Sequence, residues 1–369
     1  MTQSLRQAVG SLLVVGLEGT ELKGMERAWL KLMRPAGIIL YKRNIADVAQ
    51  TRYLLAQAMA YCLPHGTSFV DVEGGTVNRL RDALAPIPSA QAVATAAQRK
   101  GNAAAARMHG ELIARAVKAF GFNTSLAPMV DLALPESAEV LGSRCPAPTA
   151  AQTVAYARAF LAGLGSAGVV GCVKHFPGLG GGTRDSHLET PAIRRPWQQL
   201  WQEDLEPYRA LGDRMPMVMV NHAAYPETKD KKRPASVSKF WIQSVLRKRI
   251  GYRGIILSDD LEMGGVVKFM PIEEAGIEAV RVGSDLVEIC HHPEPILQVF
   301  EALIAEGERS AAFRSLLLER SRVSGRKRIK VFPAKMPPAL SKQQFEELRT
   351  RILEFGDAVE RAGREQKPV

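Results

Sequence analysis

Short, continuously apolar runs alternate with longer amphipathic stretches along most of this chain, and few folds can use that pattern. The runs fall at 12–15, 37–40, 68–71, 123–127, 169–175, 217–222, 254–259 and 285–289; helix-period stretches include 47–61, 103–119, 149–164, 236–250 and 272–282. A strand buried on one face alternates apolar with polar residues, whereas a run that is apolar throughout is covered on both faces, as in a parallel sheet under helices. About eight such strands, each followed by a helix in roughly 290 residues, predict an α/β fold of the (β/α)8 TIM-barrel type. The alternative is an open doubly wound sheet, which should carry a dinucleotide fingerprint in its first strand–turn–helix unit. There the chain reads VVGLEGTEL (14–22), without the GxGxxG spacing.

Past residue 308 the pattern changes. A helix over 311–321, a basic proline-containing linker over 325–338 and a charged helix over 341–362 are expected. The chain therefore divides into a barrel, 1–308, and a helical extension, 309–369, too short to hold a core alone. Lys and Arg number 49 against 38 Asp and Glu, a formal charge of +11, much of it in KDKKR (229–233) and RSRVSGRKRIK (320–330). Such runs read as solvated basic surface, with an anionic partner as the sharper alternative. The four cysteines show no metal or redox spacing, and Cys172 and Cys290 read as buried free thiols. No run approaches the ~20 apolar residues of a membrane span. The expectation is a soluble, cytoplasmic monomer with no nucleic-acid or membrane partner.

Polar residues at the C-terminal ends of barrel strands point to a site. Here the ends carry Asp71 followed by Glu73, Asp131 after Ala127-Pro128, Lys174-His175, Asn221-His222 and Ser258-Asp259-Asp260. Each alone reads as a satisfied core group; five together read as a site. Asp259 and Asp260 must point to opposite sides of their strand, so one can line the barrel mouth while the other faces the helices. The segment KHFPGLGGGTRDSHLETP (174–191) has Gly178, Gly180, Gly181 and Gly182, which suggest a mobile loop. It contains Asp185-Ser186-His187, where a carboxylate two residues from an imidazole can fix its tautomer and support proton transfer.

These motifs closely resemble family 3 of the glycoside hydrolases, in particular the single-domain bacterial β-N-acetylglucosaminidases (β-N-acetylhexosaminidases) of peptidoglycan recycling. The resemblance runs from Gly10 to Pro293 and includes GIILYKRN (37–44), VDVEGG (70–75), LAPMVDL (126–132), GSR (142–144), KHFPG with DSH (174–187), NHAAYP (221–226), PASVS (234–238) and SDDLEM (258–263). It implies a retaining exo-enzyme that forms a covalent glycosyl-Asp intermediate. The nucleophile falls on Asp259, the acid/base on His187 assisted by Asp185, and the sugar-binding residues on Asp71, Arg144, Lys174 and His175. It implies a carbohydrate substrate, a muropeptide or amino-sugar glycoside, and neither metal nor cofactor.

The chain departs from the family pattern at Val72, at Cys145-Pro146 after the arginine, at Leu179, and at Gly181 and Gly182 before DSH. None removes a proposed catalytic group, but the last three bear on loop conformation. A β-glucosidase, β-xylosidase or phosphorylase of the same family is the alternative within the class. Outside it stand a metal-dependent barrel hydrolase using His175, His187, His222 and Asp259, and an inactive glycan- or polyanion-binding barrel.

Overall fold

In a computed structural model, which describes residues 4–183 and 190–364, eight parallel strands close into a barrel. They are β1 (Leu13–Gly16), β2 (Gly37–Leu40), β3 (Thr67–Val70), β6 (Thr124–Ser125), β7 (Val170–Phe176), β8 (Met217–Val220), β9 (Ile255–Asp260) and β10 (Leu286–Ile289); β4 (Val72–Gly74) and β5 (Val77–Asn78) form a small hairpin just beyond β3. Pairing of Leu13 with Val287 joins β1 to β10 and closes the ring. Inward positions such as Phe69, Cys172, Leu257 and Leu286 fill the barrel, and outward ones such as Val70, Val173, Ile256 and Val287 pack under the helices. Both sides of each strand are therefore dry, which is why the runs do not alternate.

The Ala104–Ala119 and Ala150–Ser166 helices cross at glycines. A Cβ on Gly110 would lie 2.1 Å from the Phe160 carbonyl oxygen, and one on Gly163 2.1 Å from that of Arg107. The helix expected from residue 236 starts instead at Phe240, because Ala235–Val237 makes a separate 3-10 turn that presents the Ser236 hydroxyl to His222.

The expected basic linker is corrected over its first half. The helix that begins at Ala311 runs unbroken through Gly325 to Val331. Its buried face is Phe313, Leu317, Ser321, Ser324 and Arg328, spaced at helical intervals, with small and polar residues where apolar ones signal a buried face. Lys327 also turns inward, its Nζ 2.8 Å from both carboxylate oxygens of Asp285. The basic run is thus partly structural, not wholly solvated surface. Residues 332–341 are irregular, and a last helix spans Lys342–Arg364 against the Ala90–Arg99 and Ala104–Ala119 helices.

Candidate active site

Strand parity decides what enters the barrel mouth. Ile255 and Leu257 lie in the barrel interior and Asp259 follows their parity, but the β9–β10 register slips between Leu257 and Asp260, and Asp260 lines the same cavity; the expectation that one of the two aspartates faces the helices is corrected. The same alternation brings in Asp71 after Phe69, Lys174 after Cys172 and Glu288 after Leu286. They meet at a cavity of about 490 Å³ at the C-terminal ends of the strands, also lined by Arg144, His175 and Leu179.

One side of the cavity is an ion-pair network. Lys174 Nζ lies 2.8 Å from Asp71 Oδ1 and 2.7 Å from Glu73 Oε1. Arg144 grips Glu73 with both Nε and Nη2 at 2.9 Å. Burial works against charge on Glu73, yet Arg144 and Lys174 overcome it and hold the carboxyl well below the usual carboxylate range. Asp71, opposed by burial but favoured by Lys174 and Arg79, is also lowered. Glu73 is therefore an anion that orients two cations and does not itself line the cavity.

On the next wall, Asp131 organises the start of the glycine-rich segment. Its Oδ2 accepts from His175 Nδ1 at 2.7 Å and from the His175 amide at 3.1 Å, and its Oδ1 accepts from the Leu179 amide at 2.6 Å. The mobile-loop reading is corrected for Gly178–Gly182, which is buried but for a half-buried Gly181. Gly180 packs so closely that a Cβ there would sit 2.6 Å from the Leu132 carbonyl oxygen. Asp185 and His187 lie outside the described residues. Beyond them the chain is anchored by Thr190, whose hydroxyl donates to the Gly265 carbonyl at 2.7 Å.

Asn221 and His222 do not join the cavity. Asn221 Nδ2 donates to the His175 carbonyl at 3.1 Å, while His222 places Nδ1 2.6 Å from Ser236 Oγ and Nε2 2.9 Å from the Asp260 carbonyl. Burial lowers the basicity of His222, so it sits as a neutral ring between a hydroxyl and a carbonyl. With both nitrogens spent, it cannot join His175 and Asp259 as a metal ligand. Among the described residues no group of three or more His, Cys, Asp or Glu could hold a metal ion.

Asp259 has no ion-pair partner among the described residues; its Oδ1 accepts from the Asp260 amide at 3.1 Å. Asp260 accepts instead from the Glu262 amide at 3.1 Å and lies 3.2 Å from His291 Nε2. Arg43 Nη1 is 2.9 Å from His291 Nδ1, so that nitrogen accepts and Nε2 carries the hydrogen toward Asp260.

Tyr41, Arg43, Arg79, Met219, Met263, Glu288 and His291 line the cavity but were not singled out in the sequence. Glu288 had a readable signal, a lone acid inside the apolar run LVEIC (286–290). Tyr41 and Arg43 lay inside the quoted GIILYKRN motif without a role of their own, and Arg79 had no signal, because its chain position does not reveal that it approaches the mouth.

A family model described as the N-terminal domain of glycosyl hydrolase family 3 matches residues 4–317. A β-hexosaminidase of Alkalilimnicola ehrlichii is 37% identical over 294 residues, 79% of this chain and 84% of the relative. One from Xanthomonas campestris pv. campestris is 34% identical over 310 residues, covering 83% and 92%. Among solved structures, a glycoside hydrolase family 3 β-N-acetylglucosaminidase from Paenibacillus sp. superposes with a TM-score of 0.84 at 29% identity, covering 96% of this chain and 69% of that one. NagZ from Neisseria gonorrhoeae, in complex with N-trifluoroacetyl-D-glucosamine, gives 0.77 at 26% identity, covering 94% and 98%.

Proposed function

The chain belongs to glycosyl hydrolase family 3, and from that premise we propose that it is a retaining exo-β-N-acetylglucosaminidase acting on peptidoglycan fragments. The observation that carries the reading is an inward carboxylate, Asp259, with no ion-pair partner among the described residues, beside the ion-paired wall of Asp71, Lys174 and Arg144. Asp259 is the nucleophile, attacking the anomeric carbon to form a glycosyl ester. Asp71 and Lys174, with Arg144 and His175, hold the sugar hydroxyls by charge-assisted hydrogen bonds. The barrel interior beneath them is filled by side chains such as Met219 and Leu126, so the cavity is blind and takes the end of a glycan.

His187, oriented by Asp185, protonates the departing oxygen and then activates water. This assignment comes from the motif's resemblance. The sugar is supported by the relatives named above, which are β-hexosaminidases and a β-N-acetylglucosaminidase, while the peptidoglycan aglycone comes from the motif's resemblance.

Turnover of 4-nitrophenyl N-acetyl-β-D-glucosaminide, with product anomers followed by NMR, tests the proposal. The β-anomer of N-acetylglucosamine should appear first and then mutarotate. Initial release of the α-anomer would refute the double displacement, and absence of turnover would refute the activity.

A further inference from the structure

One carboxyl in the cavity has no task in that mechanism. Glu288 points inward from β10, is 1% exposed and lines the cavity. Its backbone is satisfied, the amide donating to Ser258 Oγ at 3.0 Å and the carbonyl accepting from the Leu261 amide at 2.9 Å. Its side-chain Oε1 has no hydrogen-bond partner among the described residues. A buried polar atom left unpaired is costly, and an aliphatic side chain would fill this inward position without that cost.

Resting on the glycosidase reading, we propose that Glu288 is a substrate-binding residue: its unpaired Oε1 hydrogen-bonds a polar substituent of the sugar ring next to the carbon that Asp259 attacks. Glu288 pairs with Asp260 where the β9–β10 register slips, and both Asp259 and Asp260 line the same cavity as Glu288. Adjacent strands are about 4.8 Å apart, and the attacked carbon must come within about 3.5 Å of Asp259. Only the ring and its nearest substituents are then within reach of Glu288.

The charged and titratable groups facing it fix its state. Burial first, then Asp260, Asp71 and Asp259, push its proton affinity well above the usual carboxylate range, with Lys174 pulling the other way. Tyr41, Cys172 and Cys290 also feel its charge and are themselves held neutral by burial. Its surroundings therefore favour the protonated form of Glu288, which offers both a donor and an acceptor, whereas the anionic Asp71 can only accept.

The full-length variants E288L and E288Q test this with 4-nitrophenyl N-acetyl-β-D-glucosaminide, 4-nitrophenyl β-D-glucoside and calorimetric titration of N-acetylglucosamine. E288L should keep or raise Tm, yet lose roughly tenfold or more in kcat/KM and in sugar affinity. E288Q keeps a donor and an acceptor without titrating, so it should stay within about threefold at neutral pH. Its activity should also persist to higher pH than that of wild type, whose raised carboxyl ionises as the pH climbs. A loss confined to the acetamido substrate assigns the contact to that group, and an equal loss on both substrates assigns it to a shared hydroxyl. Wild-type kcat/KM and binding in E288L, while wild type hydrolyses, would overturn the inference and leave the family activity standing. Should E288L fail to fold, an unmoved alkaline limb in E288Q would overturn it equally. A wild type that neither hydrolyses nor binds would remove both.

Discussion

At the scale of single residues, the site separates carboxyls by their neighbours. Glu73 is tied to Arg144 and Lys174, whereas Asp259 has no cation beside it among the described residues. Glu73→Gln takes the carboxylate from the half-buried Arg144 and leaves the buried Lys174 with Asp71 alone, so it should cost about 3–5 kcal/mol. Because the folded-state affinity of Glu73 for protons is depressed, this stability is complete above about pH 5 and fades as pH falls below the ordinary carboxylate value. Melting curves should therefore show wild type and E73Q far apart at pH 7 and converging toward pH 3. A gap that stays constant would mean that Glu73 is not a buried anion. Asp71, Lys174 and Asp259 were legible as strand-end polar residues, because parity is written in the chain. The grip of Arg144 on Glu73 was not legible, since nothing in a sequence says which acid a distant guanidinium meets. The division of labour between nucleophile and proton donor is testable at the same scale. Asp259→Asn should disable every substrate, whatever its leaving group. His187→Ala should spare departure of nitrophenolate but slow deglycosylation by about 10²–10⁴, giving a burst that azide relieves as a β-glycosyl azide. Equal damage to activated and unactivated substrates, with no azide effect, would take the acid/base role from His187.

At the scale of elements, glycine shows why some of the fold was readable and some was not. The apolar strand runs announced themselves, because both faces of each strand are covered. The helix through Gly325 did not, since a glycine inside a basic stretch reads as a linker, while its buried face is built from serines and an arginine. Local sequence recorded neither the packing partner nor the Lys327–Asp285 pair. The two sorts of glycine should answer oppositely to one substitution. A Cβ on Gly325 meets nothing nearer than the Arg328 guanidinium at 4.0 Å. Gly325→Ala should therefore recover part of the roughly 0.5–1 kcal/mol that a helical glycine costs, raising Tm by about 1–2 °C. On Gly110 the added methyl would strike the Phe160 carbonyl oxygen at 2.1 Å and push two helices apart. Gly110→Ala should lower stability by about 1–3 kcal/mol, as overpacking does. Calorimetry of the two variants reads both signs, and a stabilising G110A would contradict the close helix crossing.

At the scale of the whole molecule, the barrel has one end for chemistry and one end for closure. The mouth gathers the polar layer of Asp71, Lys174, Asp259 and Glu288. The opposite end is plugged from the C-terminal side of the chain. Phe332, just past the long basic helix, is 3% exposed and belongs to the same interior cluster as Phe69, Leu126 and Leu286. Its carbonyl accepts from His65 Nδ1 at 3.0 Å, which ties the plug to the loop entering β3. From there the chain crosses the flank, where Arg52 Nη2 donates to the Pro337 carbonyl at 2.7 Å, and the last helix ends under Arg99, whose Nη1 donates to the Ala362 and Gly363 carbonyls at 2.7 Å. On this arrangement we propose that residues 309–364 complete the barrel instead of forming a detachable unit. Phe332→Ala tests that directly. Truncating a buried phenylalanine leaves a cavity and costs about 3–5 kcal/mol, so Tm should fall by several degrees. The plug is separated from the mouth by the filled barrel interior, and at 25 °C kcat/KM should stay within about twofold of wild type. Phe332→Leu, which refills most of the space, should recover much of the stability. An unchanged Tm in F332A would mean that the barrel closes without its C-terminal segment. A fall in kcat/KM with Tm unchanged would instead place the plug in communication with the site.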